Sequence, residues 1–376
     1  MLSFVLIFAF ILSALLAWFY ISQIAAFAYS NELFDIPNER KMHNTSIPRL
    51  GGVAFLPALF ISFFVSLAIS YKLGFHVLSA PIILDFCALA TGLTILYFTG
   101  IFDDLADLRY FTKLAIQILV ACLFPLSGLW INNLYGLFGL YAISPWLGIP
   151  ITVLLIIFIV NAINLIDGID GLASGLSIVA LCVFGVLFFL KGFWLYSLLS
   201  ISMLGLLATF FSYNVFGSIE KRRKIFMGDT GSLILGYILA FLSIRYVSVN
   251  TALASFSNDA LMIAFSTLMV PMLDVIHVMY IRMCEGKNIF APDRSSHIHH
   301  RFMNMGYSQR QTMVAIIFLS CTFVIANFVL TPIININLLL VANFVLWIAF
   351  NWTFSCGNKW HNKRLLSKAL NTQYLD

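Results

Sequence analysis

The sequence predicts an all-α polytopic integral membrane protein, and three observations carry that expectation. Hydrophobic residues make up 61% of the chain and charged residues only 10%, where soluble domains run near a quarter charged. Apolar stretches of about 20 residues recur from end to end, each long enough to cross a hydrocarbon core of roughly 30 Å. The first, Met1 to Ala28, has no basic flank and is too long for the apolar core of a signal peptide, so it reads as a retained span. The six cysteines, at 87, 122, 182, 284, 321 and 356, show no paired spacing and read as small hydrophobes, with no disulfide or zinc framework.

Eleven spans are expected, at about residues 2–29, 51–71, 82–101, 113–131, 146–162, 173–190, 193–216, 231–248, 258–281, 312–331 and 333–354. Eleven crossings put the termini on opposite sides. Eighteen of the 21 Lys and Arg residues fall on one set of connections, and the other set has only Lys72, Lys191 and Arg245. That bias marks the basic side as cytoplasmic, with the N-terminus outside and the C-terminus inside. No repeat, linker or soluble domain is visible, so residues 1–376 read as one membrane domain.

Five polar segments gather on the basic side. In the first, Pro37, Pro48 and the pair Gly51-Gly52 interrupt any helix, while Arg40, Lys41, His43 and Arg49 favour phosphate or a nucleotide. A positive-inside anchor is the competing explanation for any one of these cations. The second holds Asp103, Asp104 and Asp107 directly after a span; three acids together either hold a cation or stand in water as a solvated loop, and since acids contribute little to topology the held cation is the better explanation.

The third, Asn161-Ala-Ile-Asn164-Leu-Ile-Asp167-Gly168-Ile-Asp170-Gly171 and on to Gly175, is the organising stretch. It puts two amides and two carboxylates where an apolar run ends, and such groups are kept there only when something compensates them. No Lys or Arg lies within it, so a hard cation such as Mg²⁺ is the natural partner. On a helix, the spacing of three keeps Asn164, Asp167 and Asp170 near one face, and Gly168 and Gly171 leave room for a bulky ligand.

The fourth opens with Lys221-Arg-Arg-Lys224, which reads first as an anchor for anionic lipid. Phe226 and Gly228-Asp229-Thr230-Gly231-Ser232 follow. At the start of a helix, that glycine-rich run offers N–H donors, hydroxyls and one carboxylate suited to a metal-bound phosphate. The fifth contains Pro292-Asp293-Arg294-Ser-Ser-His297-Ile-His299-His300-Arg301. Zinc is one explanation of the histidines; histidines and arginines converging on a phosphate-bearing ligand is the better one, since no cysteine is near. Asp274 and His277, in the preceding span, read as a buried structural pair.

These segments, in this order, resemble the polyprenyl-phosphate N-acetylhexosamine-1-phosphate transferases, over about residues 30–315. The family's double aspartate looks like Asp103-Asp104, its DG-x-DG stretch like Asn161 to Gly171, its Gly-Asp-Thr-Gly-Ser like Gly228 to Ser232, and its histidine motif like His297-Ile-His299-His300. Asp107, and Ile298 within the histidines, are similar to the UDP-GlcNAc branch rather than the branch using UDP-MurNAc-pentapeptide. One departure is that two residues, Ser295 and Ser296, separate Asp-Arg from the first His, where the branch usually has one.

The resemblance implies transfer of a sugar 1-phosphate from a UDP-N-acetylhexosamine to undecaprenyl phosphate, with release of UMP, at the cytoplasmic face of a bacterial inner membrane. It implies Mg²⁺ (Mn²⁺ as substitute) on Asp229 and Asn164, with Asp167 and Asp170 orienting nucleotide and metal waters. Phe226 would stack on uracil, and His297, His299, His300 and Arg301 would neutralise the diphosphate. Asp103 or Asp104 would meet the lipid phosphate, with Lys113 or Arg109 as carriers of its charge. Asn161, Arg40, Lys41, His43, Arg49 and Arg294 complete the expected substrate contacts. The lipid bilayer is a partner, nucleic acid is not, and a homodimer is compatible. A transporter or flippase for an anionic lipid or nucleotide is the alternative.

Overall fold

A computed structural model describes residues 1–33, 47–75, 79–248, 260–287 and 297–353. Arg40, Lys41, His43 and Arg294 lie outside the described residues. Among those described, eleven helical segments are long and apolar enough to cross a membrane, each matching an expected span to within a few residues. They are α1 (Leu2–Ser30), α2 (Phe55–Lys72, entered through a 3₁₀ turn at Leu50–Ala54), α3 (Ala80–Ala106), α4 (Tyr110–Ala121) continued by α5 (Leu123–Ser127), α6 (Pro145–Ile166), α7 (Leu172–Leu190), α8 (Trp194–Phe216), α9 (Gly228–Val247), α10 (Ala260–Cys284), then, after the short α11 (Ile298–Asn304), α12 (Gln309–Leu330) and α13 (Ile336–Thr353). A small hairpin, β1 (Asn133–Leu137) with β2 (Leu140–Ala142), links α5 to α6.

Helix α9 is the axis of the bundle. Every residue from Thr230 to Val247 is buried, as a helix that is apolar all round must be. Helices α3 and α6 pack along it, and small residues set the approach. A Cβ on Gly236 would stand 2.7 Å from Val160 Cα of α6, and one on Gly100 would strike Thr230 Cα. A second apolar cluster joins α7, α10, α12 and α13.

One cation of the expected outer side is not in a connection at all. Arg245 is 2% exposed within α9. Its Nε lies 3.9 Å from Asp85 Oδ2 and donates to Tyr196 Oη at 3.1 Å. A charge inside a bundle is kept by pairing, so Arg245 reports packing rather than sidedness.

At the other end, the chain entering α2 is laid against the chain entering α9. Phe226 N donates to Pro48 O (2.8 Å), Gly51 N to Phe226 O (2.9 Å) and Gly52 N to Met227 O (2.8 Å). A Cβ at Gly52 would collide with the backbone nitrogen of Gly231. Gly52→Ala is therefore expected to cost about 1–3 kcal/mol by overpacking, read as a lowered thermal midpoint in detergent.

Candidate active site

The second to fifth polar segments, with the Arg49–Gly52 end of the first, meet at the end of the bundle where α9 begins. The contact that joins them is made by Asp104. Its Oδ1 accepts from Asp229 N at 2.7 Å; its Oδ2 accepts from Thr230 N at 3.0 Å and Thr230 Oγ1 at 2.6 Å. A carboxylate from α3 thus satisfies the N–H groups that α9 cannot satisfy itself, and sits at the positive end of its dipole. Gly228 makes this possible: its φ is +70°, and a Cβ there would lie 2.7 Å from both Asp104 oxygens and strike the Arg49 carbonyl. The amides of Asp229 and Thr230 are thus taken up by Asp104, which acts as the cap of α9.

Asp103 is turned the other way and is 2% exposed. It ion-pairs with Lys113, whose Nζ is also 3.2 Å from Asp229 Oδ2. Asp103 Oδ1 accepts from Leu108 N at 2.8 Å, closing the end of α3 where Asp107 adopts a left-handed φ of 49°. Asp107 and Arg109 are exposed. Lys113 is the cation shared by two carboxylates.

Asn164, on the last turn of α6, donates through Nδ2 to Asp229 Oδ1 and to Ser232 Oγ (2.8 Å). The structure therefore brings Asn164 and Asp229 together across 65 residues. Asn161 goes elsewhere: its Nδ2 donates to Gln117 Oε1 (2.6 Å) and Ile157 O (2.8 Å). Gln117 was missed by the sequence reading; the signal was its place four residues after Lys113, on the same face of α4.

Helix α6 stops at Ile166, so Asp167 and Asp170 lie in the following loop and not on a shared helical face with Asn164. Asp170 ion-pairs with Lys224. The stretch is thus neutralised by a cation 54 residues away, and Lys224 is not part of a lipid anchor. The two glycines are also filled from within. A Cβ on Gly168 would enter the His299 ring, and one on Gly171 (φ +75°) would meet Met313 Sδ at 2.5 Å. Asn214, also missed, stitches the loop down: Gly171 N donates to its Oδ1 (2.6 Å) and its Nδ2 donates to Ile225 O (3.0 Å).

The histidine segment is held by α10. Asp274 Oδ2 is 2.7 Å from His297 Nδ1, and its Oδ1 accepts from Ile298 N at 2.8 Å. That bond places the Nδ1 proton toward Asp274 and leaves Nε2 as the outward nitrogen. Asp274 and His277 are therefore not each other's partners. His277 Nε2 accepts from Arg301 Nη2, and Arg301 Nη1 donates to Asn351 Oδ1 at 2.7 Å. Arg301 is 8% exposed and bonds to α10 and α13 through His277 and Asn351.

His299 is 1% exposed, its ring 5.7 Å from that of His297 and 4.3 Å from that of the half-buried His300. Burial, then His300 and His297, hold its pKa well below the usual value. Its surroundings therefore favour the neutral ring. Phe226 and Arg49 are half-buried beside the cluster. Among the described residues, no three His, Cys, Asp or Glu side chains converge as a metal cage.

Burial pushes the Asp167 carboxyl up to about 7, helped by Asp229 and Asp170 and opposed by Arg49. Between roughly pH 4 and 7, the folded chain then keeps a proton that the unfolded chain has lost, so stability falls as pH rises through this window. Asp167→Asn removes that ionisation. The variant is expected to match the parent in thermal midpoint near pH 4 and to exceed it at pH 8; an identical pH dependence would remove Asp167 as the cause.

A sequence model of glycosyl transferase family 4 matches residues 86–247. The chain is 32% identical over 298 residues (79% of this chain, 76% of the other) to a Bacillus subtilis (strain 168) protein named "Probable undecaprenyl-phosphate N-acetylglucosaminyl 1-phosphate transferase". It is 31% identical over 323 residues (81% and 78%) to the decaprenyl-phosphate N-acetylglucosaminephosphotransferase of Mycobacterium leprae (strain TN). It is 28% identical over 291 residues (76% and 73%) to the undecaprenyl-phosphate alpha-N-acetylglucosaminyl 1-phosphate transferase of Yersinia pestis. With the acid, amide and histidine segments assembled at one end of an eleven-span bundle, the chain belongs to the glycosyl transferase family 4 membrane transferases.

Proposed function

We propose that this protein transfers N-acetylhexosamine 1-phosphate, GlcNAc 1-phosphate foremost, from its UDP-sugar to undecaprenyl phosphate. A lipid phosphate oxygen attacks the β-phosphorus of the donor; the bond from that phosphorus to the bridging oxygen breaks, and UMP leaves with the electron pair. The observation that carries the reading is the arrangement at the start of α9, where Asp229 meets Asn164 and shares Lys113 with Asp103. The excess of Lys and Arg on this side supports a cytoplasmic site, where UDP-sugars are available.

Both substrates are polyanions, so catalysis rests on positioning and charge neutralisation. The lipid phosphate has a second pKa near 6 and is mostly ionised at pH 7, so it needs little help in losing a proton. Asp104 is engaged with α9, and Asp103 with Lys113 and Leu108 N. Neither is free to act as a covalent nucleophile, which supports direct displacement. His297, fixed by Asp274, would present Nε2 to the donor phosphates or sugar. Asp167 and Asp170 would order the nucleotide side through the loop that Asn214 and Lys224 hold.

The donor set fits a hard divalent cation. Two carboxylates already share one ammonium group, so the position calls for positive charge. Asp229 would hold Mg²⁺ or Mn²⁺, with Asn164 joining after its amide turns oxygen for nitrogen. When bound, the cation would supply neutralisation of the diphosphate. A transporter would instead want ionisable groups along a path through the bundle; here the acids cluster where α9 begins, and the Asp85–Arg245 pair lies apart from them toward the other end of that helix.

Purified protein with UDP-GlcNAc, undecaprenyl phosphate and Mg²⁺ is expected to release UMP and form a lipid-linked product. No UMP with any UDP-N-acetylhexosamine would overturn the reading. Asp229→Ala is expected to abolish UMP release in a protein that stays folded in detergent. Losing a charged hydrogen bond is worth about 1.5–3 kcal/mol. Asp274→Asn should therefore lower kcat about 10- to 100-fold while KM for the UDP-sugar changes little; a change confined to KM would make Asp274 a binding-loop support only.

A further inference from the structure

The basic run Lys221–Lys224 divides in the fold. Lys224 turns to Asp170, whereas Lys221 and Arg223 are exposed and form no ion pair among the described residues. These two cations line a cavity of about 390 Å³ together with Trp18 of α1 and Tyr213, Phe216 and Gly217 at the end of α8. Behind it, Tyr213 Oη and Ser22 Oγ are 2.7 Å apart, tying α8 to α1. The rim is aromatic: Trp18 is 58% and Phe216 67% exposed. A third cation, Arg310 of α12, stands over the Phe216 ring with Cζ 5.7 Å from its centroid.

Phe216 and the cations stand at the end of α8 and Trp18 partway along α1; exposed Trp and Phe rings beside unneutralised cations are what the boundary between acyl chains and headgroups selects. The rings suit the apolar part of an amphiphile, and the cations its phosphate. None of Asp103, Lys113, Asn164 or Asp229 lines this cavity, which opens on the outer wall of the bundle between α1 and α8. A phosphate that must react at Asp229 would be misplaced there.

We propose that this cavity binds the phosphodiester headgroup of an anionic glycerophospholipid of the surrounding bilayer. The assignment does not rest on the proposed transfer reaction. It has a consequence for the site all the same. The turn bearing Lys221 and Arg223 runs directly into Lys224, which holds Asp170, and Ile225, whose carbonyl is held by Asn214. A bound headgroup steadies the segment that closes the Asp167–Gly171 loop.

The test is native mass spectrometry of the full chain released from nanodiscs of phosphatidylcholine with a minor share of phosphatidylglycerol. The parent protein is expected to retain phosphatidylglycerol. Lys221→Gln/Arg223→Gln should lower that retention by about fivefold per cation removed, and raised salt should weaken the parent's retention. Trp18→Ser, on the opposite wall, should lower it independently, while Lys72→Gln/Lys191→Gln, at the far end of the bundle, should not. Equal retention by the parent and the first double variant would overturn the proposal. So would retention through Lys221 and Arg223 of added undecaprenyl phosphate in preference to phosphatidylglycerol, or displacement of the lipid by inorganic phosphate alone.

Discussion

The grip of Asp104 on the first turn of α9 is the contact on which the rest of the site depends. It ties the end of α3 to the start of the central helix through three hydrogen bonds. Asp103 is its neighbour in sequence, and Asp229 is the residue whose amide it takes. The same contact therefore sets Asp103 and Asp229 face to face, close enough to share Lys113. A carboxylate at the end of an apolar bundle must be compensated, and each here is compensated differently. Asp104 has a helix N-terminus and a hydroxyl, Asp103 and Asp229 one lysine, Asp170 another, and Asp274 a histidine. Asp167 has Arg49 as its opposing charge, but burial and its acidic neighbours outweigh it.

That arrangement needs α9 at the centre. A peripheral helix would carry its first turn to the lipid; a helix buried along its whole length delivers Asp229 to the axis, where α3, α4 and α6 can all reach it. Small residues make the approach close. Gly100 lets α3 come against Thr230, Gly236 lets α9 come against Val160 of α6, and Gly52 lets the entrance to α2 lie on the entrance to α9. Helix packing in lipid lacks the hydrophobic drive available in water, so close backbone contact of this kind, with buried hydrogen bonds, has to hold the bundle end together.

The spans were legible because the bilayer imposes one length on every crossing, and the polar segments because charge is expensive beside such spans. The partners of individual charges were not. Lys224 sits in a run that looks like any lipid-facing anchor, and Asp170, which claims it, is 54 residues away. Asp104 and Thr230 are 126 apart, so nothing local distinguishes Asp104 from Asp103, although one caps a helix and the other pairs with a lysine. Glycine announced the need for room at positions 168 and 171, but not that His299 and Met313 would take it. Arg301 reads as a phosphate ligand by its place beside the histidines, and its bonds to His277 of α10 and Asn351 of α13 are not visible in the sequence. Pairwise choices among like residues are made by tertiary packing, which a single sequence does not display.

The choice of lysine at 113 has a physical logic of its own. Before any ligand arrives, two facing carboxylates at this depth would repel, and one of them would take up a proton. A single ammonium between them offsets that repulsion. An arginine would lock each carboxylate through its rigid fork, whereas an ammonium on four flexible carbons holds them as a point charge that can swing. On the proposed reading, once other positive charge reaches Asp229, Lys113 can keep its bond to Asp103 and turn its remaining donors toward the incoming lipid phosphate. On that reading, the lysine that balances the two carboxylates also receives the lipid phosphate, and Asp103 acts by holding that lysine.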